Sequence, residues 1–185
     1  MEIERKFLVT YLPFDLNEFE VHHITQGYIS TDPVIRIRNE SIVCPGRQKE
    51  PITELTTIFD SGLSAAPSSC ETRYTLTVKG EGLKVREELN LTISGDAYRR
   101  LLKKVDGGLI KKDRYIIPLD DTPGSLICEL DIFKGALEPL ILLEIEFLTE
   151  KEADSFIPPY WFGEEVTDDP RYQNSALSRF REDAP

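Results

Sequence analysis

The feature that most constrains this chain is a period-two alternation that sets charges of both signs on one face of successive strands. The chain opens Met1-Glu2-Ile3-Glu4-Arg5-Lys6-Phe7-Leu8, so Glu2, Glu4 and Lys6 share one parity and Ile3, Arg5 and Phe7 the other. Residues two apart on a strand point to the same side. Adjacent carboxylates repel unless a cation sits between them, and a neighbouring lysine is well placed to meet a phosphate. Taken alone, such a segment could be a wet sheet face.

The pattern recurs, and recurrence changes the reading. Arg36 and Arg38 alternate with Ile35 and Ile37. Lys79 lies opposite in parity to Tyr74, Leu76 and Val78. Lys84, Arg86 and Glu88 alternate with Val85, Leu89 and Leu91, and Lys112 and Arg114 share a face. Glu129 and Asp131 are set against Leu130 and Ile132. Glu144 and Glu146 are the hardest to place on a wet face. Leu140 and Leu142 precede them and Leu148 follows on the same parity, with Ile141, Leu143, Ile145 and Phe147 behind. Carboxylates inside an apolar strand are costly when buried and unpaired. A cavity lined by both signs of charge, with apolar residues and helices outside the sheet, resolves the conflict.

The rest of the chain fits a mainly β fold with a few helices. Runs at about 2–9, 23–30, 33–40, 73–79, 83–93, 109–118, 125–133 and 140–148 are rich in β-branched or aromatic residues and bounded by turn formers. Tight turns are expected at 79–82 and 120–124. Helical spacing is expected over 95–106, with Ser94 or Asp96 as cap. Thr149 and Glu152 form a capping-box pattern before a short helix. Asn174 is a candidate cap for a last helix to about Arg181. Residues 41–72 lack periodicity and read as a loop insertion, within which 52–59 could add an edge strand. The whole, 1–185, reads as one domain.

A net charge of −11 argues against duplex nucleic-acid binding and against an anionic membrane surface. No apolar run approaches the roughly 18 residues of a membrane span, and the N-terminus has no apolar signal region. Cys44, Cys70 and Cys128 have no metal-ligand spacing and suggest reduced thiols in a cytoplasmic setting. A Cys44–Cys70 bridge is the minor alternative. The adjacent His22 and His23 read as a pair at a strand start rather than a zinc site.

The candidate lining residues are seven acids (Glu2, Glu4, Glu88, Glu129, Asp131, Glu144, Glu146) and seven bases (Lys6, Arg36, Arg38, Lys79, Arg86, Lys112, Arg114). A closed antiparallel β-barrel of about eight strands has room for a ligand inside. Acids on the first and last strands suggest a hard divalent cation with oxygen ligands. Bases on the others suggest a polyanion. A metal–polyphosphate complex satisfies both sets, and seven bases could neutralise a triphosphate while a pyrophosphate would leave several unpaired. No Ser–His–Asp or Cys–His nucleophile is evident, which favours direct attack by water. Tyr28, Tyr115 and Trp161 read as packing residues.

The opening Glu2-x-Glu4-x-Lys6 resembles the signature of the CYTH superfamily, the triphosphate tunnel metalloenzymes. The resemblance runs in order along nearly the whole chain. It takes in Gln26-Gly27-Tyr28-Ile29, Arg36-x-Arg38, Thr77-Val78-Lys79-Gly80 and Arg86-x-Glu88. It continues through Lys112-x-Arg114-Tyr115, Glu129-Leu130-Asp131-Ile132-Phe133-x-Gly135 and Glu144-Ile145-Glu146. Trp161-Phe162-Gly163 to Thr167 and Arg171-Tyr172-x-Asn174-Ser175-x-Leu177 resemble the C-terminal segment of bacterial-type members. The stretch 41–72 departs by its length. The resemblance implies an eight-stranded antiparallel tunnel with helices packed outside, hydrolysing a small-molecule triphosphate with Mg²⁺ or Mn²⁺. Glu2, Glu4, Glu129, Asp131, Glu144 and Glu146 are then expected at the metal. Arg36, Arg38, Lys79, Arg86, Lys112 and Arg114 are expected on the phosphates, and Lys6 on a phosphate or the attacking water. Catalysis is expected to rest on Lys6, Glu144 and Glu146. Inorganic triphosphatase is the leading activity. Thiamine triphosphatase, class IV adenylyl cyclase and a non-catalytic polyphosphate or nucleotide-binding module are the alternatives.

Overall fold

The computed structural model describes residues 2–43, 71–80, 85–120 and 125–179. The strands are β1 (Glu2–Leu8), β2 (Glu20–Thr31), β3 (Val34–Val43), β4 (Glu71–Lys79), β5 (Val85–Arg86), β6 (Glu88–Thr92), β7 (Asp106–Pro118), β8 (Ile127–Phe133) and β9 (Ile141–Glu146). They form one antiparallel sheet in the order β5-β1-β9-β8-β7-β2-β3-β4-β6. The two ends of that order, β5 and β6, are separated in the chain by Glu87 alone. Taken as one strand kinked at Glu87, they give the eight expected. The first half pairs with β1 (Glu2 opposite Arg86) and the second with β4 (Lys79 opposite Glu88), so the sheet curls round on itself.

Three α-helices are described: α1 (Gly95–Leu102), α2 (Glu150–Ser155) and α3 (Asn174–Leu177). Ser94 caps α1 through the Ala97 amide, and Thr149 and Glu152 complete the capping box of α2. Helix α1 stops at Leu102 rather than 106, because β7 already begins at Asp106. Helix α3 begins at Asn174, but Gln173 occupies its cap position and the helix ends at Leu177. The strands flanking the expected insertion run further into it than the sequence predicts. Ser41–Val43 continue β3 and Glu71–Thr72 open β4, paired as Ser41 opposite Thr72 and Ile42 opposite Glu71. The expected edge strand at 52–59, the Cys44–Cys70 alternative and most of both turns lie outside the described residues. Among the described residues no helix is long and apolar enough to cross a membrane.

The two faces of the sheet divide as the alternation requires. Outside, Ile3, Phe7, Ile117, Cys128, Leu130, Leu143 and Ile145 form a buried cluster with Ala153 of α2 and Phe162. Trp161 and Tyr115 pack against it. Burying each of the Ile, Leu and Phe side chains is worth about 1.5–3 kcal/mol. Arg5, which shares this face, donates to both carboxylate oxygens of Glu165 and to the Ala153 and Phe156 carbonyls at the end of α2.

Inside, one end is apolar. Tyr28, Ile110, Phe133 and Leu142 pack with Val166 and Leu177 of the C-terminal segment, and Tyr172 leans against them. That segment is tied to β1 by the Lys6 amide on Thr167 Oγ1 (3.0 Å) and the Val166 amide on the Lys6 carbonyl (2.8 Å). On β7 the Gly108 amide donates to Ser178 O at 2.7 Å, beside Gly107 at φ +89°. A Cβ on Gly107 would come within 2.7 Å of the same oxygen, so this approach requires glycine.

Candidate active site

Register sets the inward side chains next to one another. Glu4 lies opposite Glu146 and Lys6 opposite Glu144. Glu144 also lies opposite Glu129, and Arg114 opposite Asp131. Gln26 faces Arg38, and Arg36 faces Thr77. Together these strands line a cavity of about 260 Å³. Of the residues expected from the sequence, Glu4, Arg36, Arg38, Lys79, Glu88, Arg114, Glu129, Glu144 and Glu146 line it. Lys6, Lys112 and Asp131 lie behind the wall, at 1%, 1% and 0% exposure. Glu2 and Arg86 oppose each other in the β1–β5 ladder; their side chains are outside the described residues.

The buried charges are held by close pairing. Lys6 Nζ is 2.8 Å from Glu144 and 3.7 Å from Glu4. Arg114 binds both oxygens of Asp131 at 2.7 Å, reaches Glu144 at 2.7 Å and contacts Glu129. Lys112 completes the ring on Asp131. Burial alone would raise the Glu144 pKa, yet Lys6, Arg114 and Lys112 hold it well below the ordinary carboxylate value. Burial likewise opposes ionisation of Asp131, and Arg114 and Lys112 reverse that. Burial, with Arg114 beside it, pushes Lys112 down to about 8. Burial and the neighbouring Arg36 and Arg114 bring Arg38 to about 10, still charged at neutral pH.

Asp131 lies off the cavity wall, its oxygens held by Arg114 and Lys112. Glu88 reaches Lys79 (2.6 Å) and Arg36 (3.5 Å). From Arg36 a chain runs through Thr77 (2.8 Å), Asn90 (2.6 Å) and back to Glu88 (2.9 Å), which fixes the guanidinium.

Other lining residues escaped the sequence reading. Glu40, Thr75 and Asn90 all line the cavity. They share the parity of Arg38, Lys79 and Glu88, so extending each inward row by one or two steps finds them. Glu40 is bound by His22 at 3.0 Å, whose other ring nitrogen meets Glu20 at 2.8 Å. Both bonds at once need a doubly protonated ring. The hydrogen bond from His22 holds Glu40 at about 2. Burial works against a charged His22, and its two carboxylate partners outweigh that and raise its pKa. Asn174, from α3, also reaches the cavity; no strand parity could reveal it.

The described wall carries six carboxylates against four cations. Among the described residues no three His, Cys, Asp or Glu side chains are already gathered for a metal. The donor chemistry does suit a hard divalent cation, because Glu4, Glu129, Glu144 and Glu146 offer only carboxylate oxygen. Carboxylates directly opposite on neighbouring strands, as Glu4 and Glu146 are, repel and favour a cation between them.

No family model matches the chain. An inorganic triphosphatase of Nitrosomonas europaea is 38% identical to it over 179 residues, covering 96% of each chain. An inorganic triphosphatase of Acetivibrio thermocellus is 35% identical over 121 residues, 64% of this chain and 74% of that one. The crystal structure of the inorganic triphosphatase NE1496 aligns over 96% of this chain and 97% of its own, with a TM-score of 0.58 and 33% identity. Similarity of this degree over nearly the full length, together with the same ordered charge pattern on a curled antiparallel sheet, shows that the chain belongs to the inorganic triphosphatases of the CYTH superfamily.

Proposed function

We propose that this chain hydrolyses inorganic tripolyphosphate to pyrophosphate and phosphate by direct attack of water, using Mg²⁺ or Mn²⁺, within a tunnel closed by the kinked β5–β6 strand. The observation that carries the reading is a cavity whose wall sets Arg36, Arg38, Lys79 and Arg114 beside Glu4, Glu129, Glu144 and Glu146. The family's inorganic triphosphatases support hydrolysis of a triphosphate.

The charge balance supports a metal requirement. A wall with more carboxylates than cations repels a pentaanion, and the buried bases are already engaged by acids. Glu4, Glu144 and Glu146, with Glu129 beside them, would hold the divalent cation; Glu2, two residues before Glu4 on β1, shares its parity. When bound, it neutralises phosphate charge and orients the chain for in-line displacement. Arg36, Arg38, Lys79 and Arg114 bind phosphate oxygens and offset charge that develops during transfer. Lys6 keeps Glu144 ionised and in place from behind. Asp131, itself held by Lys112, does the same for Arg114, which is a supporting role rather than ligation.

The test is phosphate release from tripolyphosphate, thiamine triphosphate, ATP and pyrophosphate, each with Mg²⁺, with Mn²⁺ and after chelation. The highest kcat/KM is expected on tripolyphosphate with metal. A higher value on thiamine triphosphate, or on ATP with cyclic AMP formed, would replace this reading. Full turnover after exhaustive chelation would remove the metal from it.

A further inference from the structure

We propose that Asn174 orients the attacking water, accepting a hydrogen bond from it through Oδ1; this rests on the triphosphatase reading above. Asn174 is unlike the rest of the lining, because it is brought in from outside the sheet by α3. The chain is pinned on both sides of it. The segment before it is pinned to β1 by the Thr167 and Val166 bonds, and the Tyr172 carbonyl lies 3.5 Å from Lys6 Nζ. The segment after it is pinned by Leu177 in the apolar cluster and by Ser178 on Gly108. Asn174 therefore sits where the charged cavity meets the apolar plug, on the side of Lys6.

Its Oδ1 is buried and has no hydrogen-bond partner among the described residues, although it belongs to the cavity lining. A buried acceptor left unsatisfied is costly. It calls for a donor from the cavity. A phosphate oxygen at neutral pH is an acceptor and cannot serve, whereas water can.

The position fits the reaction geometry. The C-terminal segment fills one end of the interior, so a linear triphosphate lying along the cavity turns one terminal phosphoryl group toward that end. In-line attack on that phosphorus comes from beyond it, on the side away from the bridging oxygen. That is the side on which Asn174 lies. The water oxygen forms a bond to the terminal phosphorus, and the bond from phosphorus to the bridging oxygen breaks. Pyrophosphate leaves with the bonding pair. One water proton passes to an oxygen of the transferred phosphoryl group, which leaves as dihydrogen phosphate. Asn174 holds the other O–H and accepts no proton.

The test compares Asn174→Ala with Asn174→Asp on tripolyphosphate with Mg²⁺. Thermal unfolding and calorimetric tripolyphosphate binding are measured for both. Loss of the acceptor in Asn174→Ala is expected to lower kcat at least about tenfold with KM within about twofold, since misplacing a reactant acts on the chemical step. Asn174→Asp keeps an acceptor in the same place. It is expected to turn over faster than Asn174→Ala, with a new loss of rate at low pH as the carboxyl protonates. If the amide instead donates to phosphate, Asn174→Asp will be the weaker variant and KM will rise in both, which overturns the proposal. An unchanged kcat in Asn174→Ala overturns it too. Should Asn174→Ala fail to fold, the pH profile of Asn174→Asp decides alone. A wild-type enzyme inactive on tripolyphosphate but active on another triphosphate would overturn the substrate reading instead, and the same variants would then be compared on that substrate.

Discussion

Replacing Asp131 with Asn separates a clamp from a metal ligand. In the wild type, one fully buried carboxylate accepts two 2.7 Å hydrogen bonds from Arg114 and a contact from Lys112. The substitution keeps the shape and removes the charge, so two buried cations lose their shared counter-ion. Breaking one side of a buried ion pair costs about 3–5 kcal/mol. Lys112 limits the cost, because with Asp131 present its pKa is already only about 8. Without that anion it loses its proton at neutral pH and stops being an unpaired charge. The lower figure, about 3 kcal/mol, is therefore the expected loss, which for a chain of this length is about 6–12 °C in Tm. The assay is thermal unfolding of the metal-free protein, followed by the Mg²⁺ dependence of turnover. The clamp requires the Tm drop in metal-free protein and an Mg²⁺ half-saturation close to wild type. A Tm within about 2 °C of wild type, with Mg²⁺ half-saturation raised tenfold, would refute this reasoning and return Asp131 to the metal.

Glu144→Gln and Glu146→Gln are each expected to lower turnover on the best substrate at least about a hundredfold, the scale of a lost electrostatic contribution; near wild-type initial rates in both would remove them from the chemistry. Arg38→Ala is expected to raise KM and lower kcat together, read from saturation curves, because it acts on phosphate in both ground and transition states. The His22–Glu40 pair gives a pH signature. Glu40, depressed to about 2, contributes stability above its ordinary value of 4.5 that is lost as pH falls through the folded value. His22, raised from 6.5, contributes stability below 6.5 that is lost as pH climbs through its folded value. The stability gap between wild type and His22→Gln in urea unfolding is thus expected to be widest between about pH 4.5 and 6.5 and to narrow on both sides. A gap that is flat with pH would show that His22 acts through packing alone.

Period-two alternation by itself determines much of this protein. Because side chains on a strand alternate strictly, the parity of Glu4, Arg38, Lys79, Arg114, Glu129, Glu144 and Glu146 was enough to put them on one face. The carboxylates stranded among Leu140, Leu142 and Leu148 required that face to be an interior. The same rule reaches Glu40, Thr75 and Asn90 when each row is carried one or two steps further. Parity says which way a residue faces and nothing about its depth or its partner, because those depend on strand register. Register is what made Asp131 a buried partner of Arg114 and Lys112 rather than a lining residue. It also paired Glu88 with Lys79 and drew β3 and β4 on to Val43 and Glu71. Asn174 belongs wholly to tertiary structure. It reaches the cavity only because Leu177, Tyr172 and Val166 fill the apolar end of the sheet and Gly107 leaves room for Ser178. Those contacts join the C-terminal segment to strands as far away in the chain as Tyr28, and no local pattern encodes them.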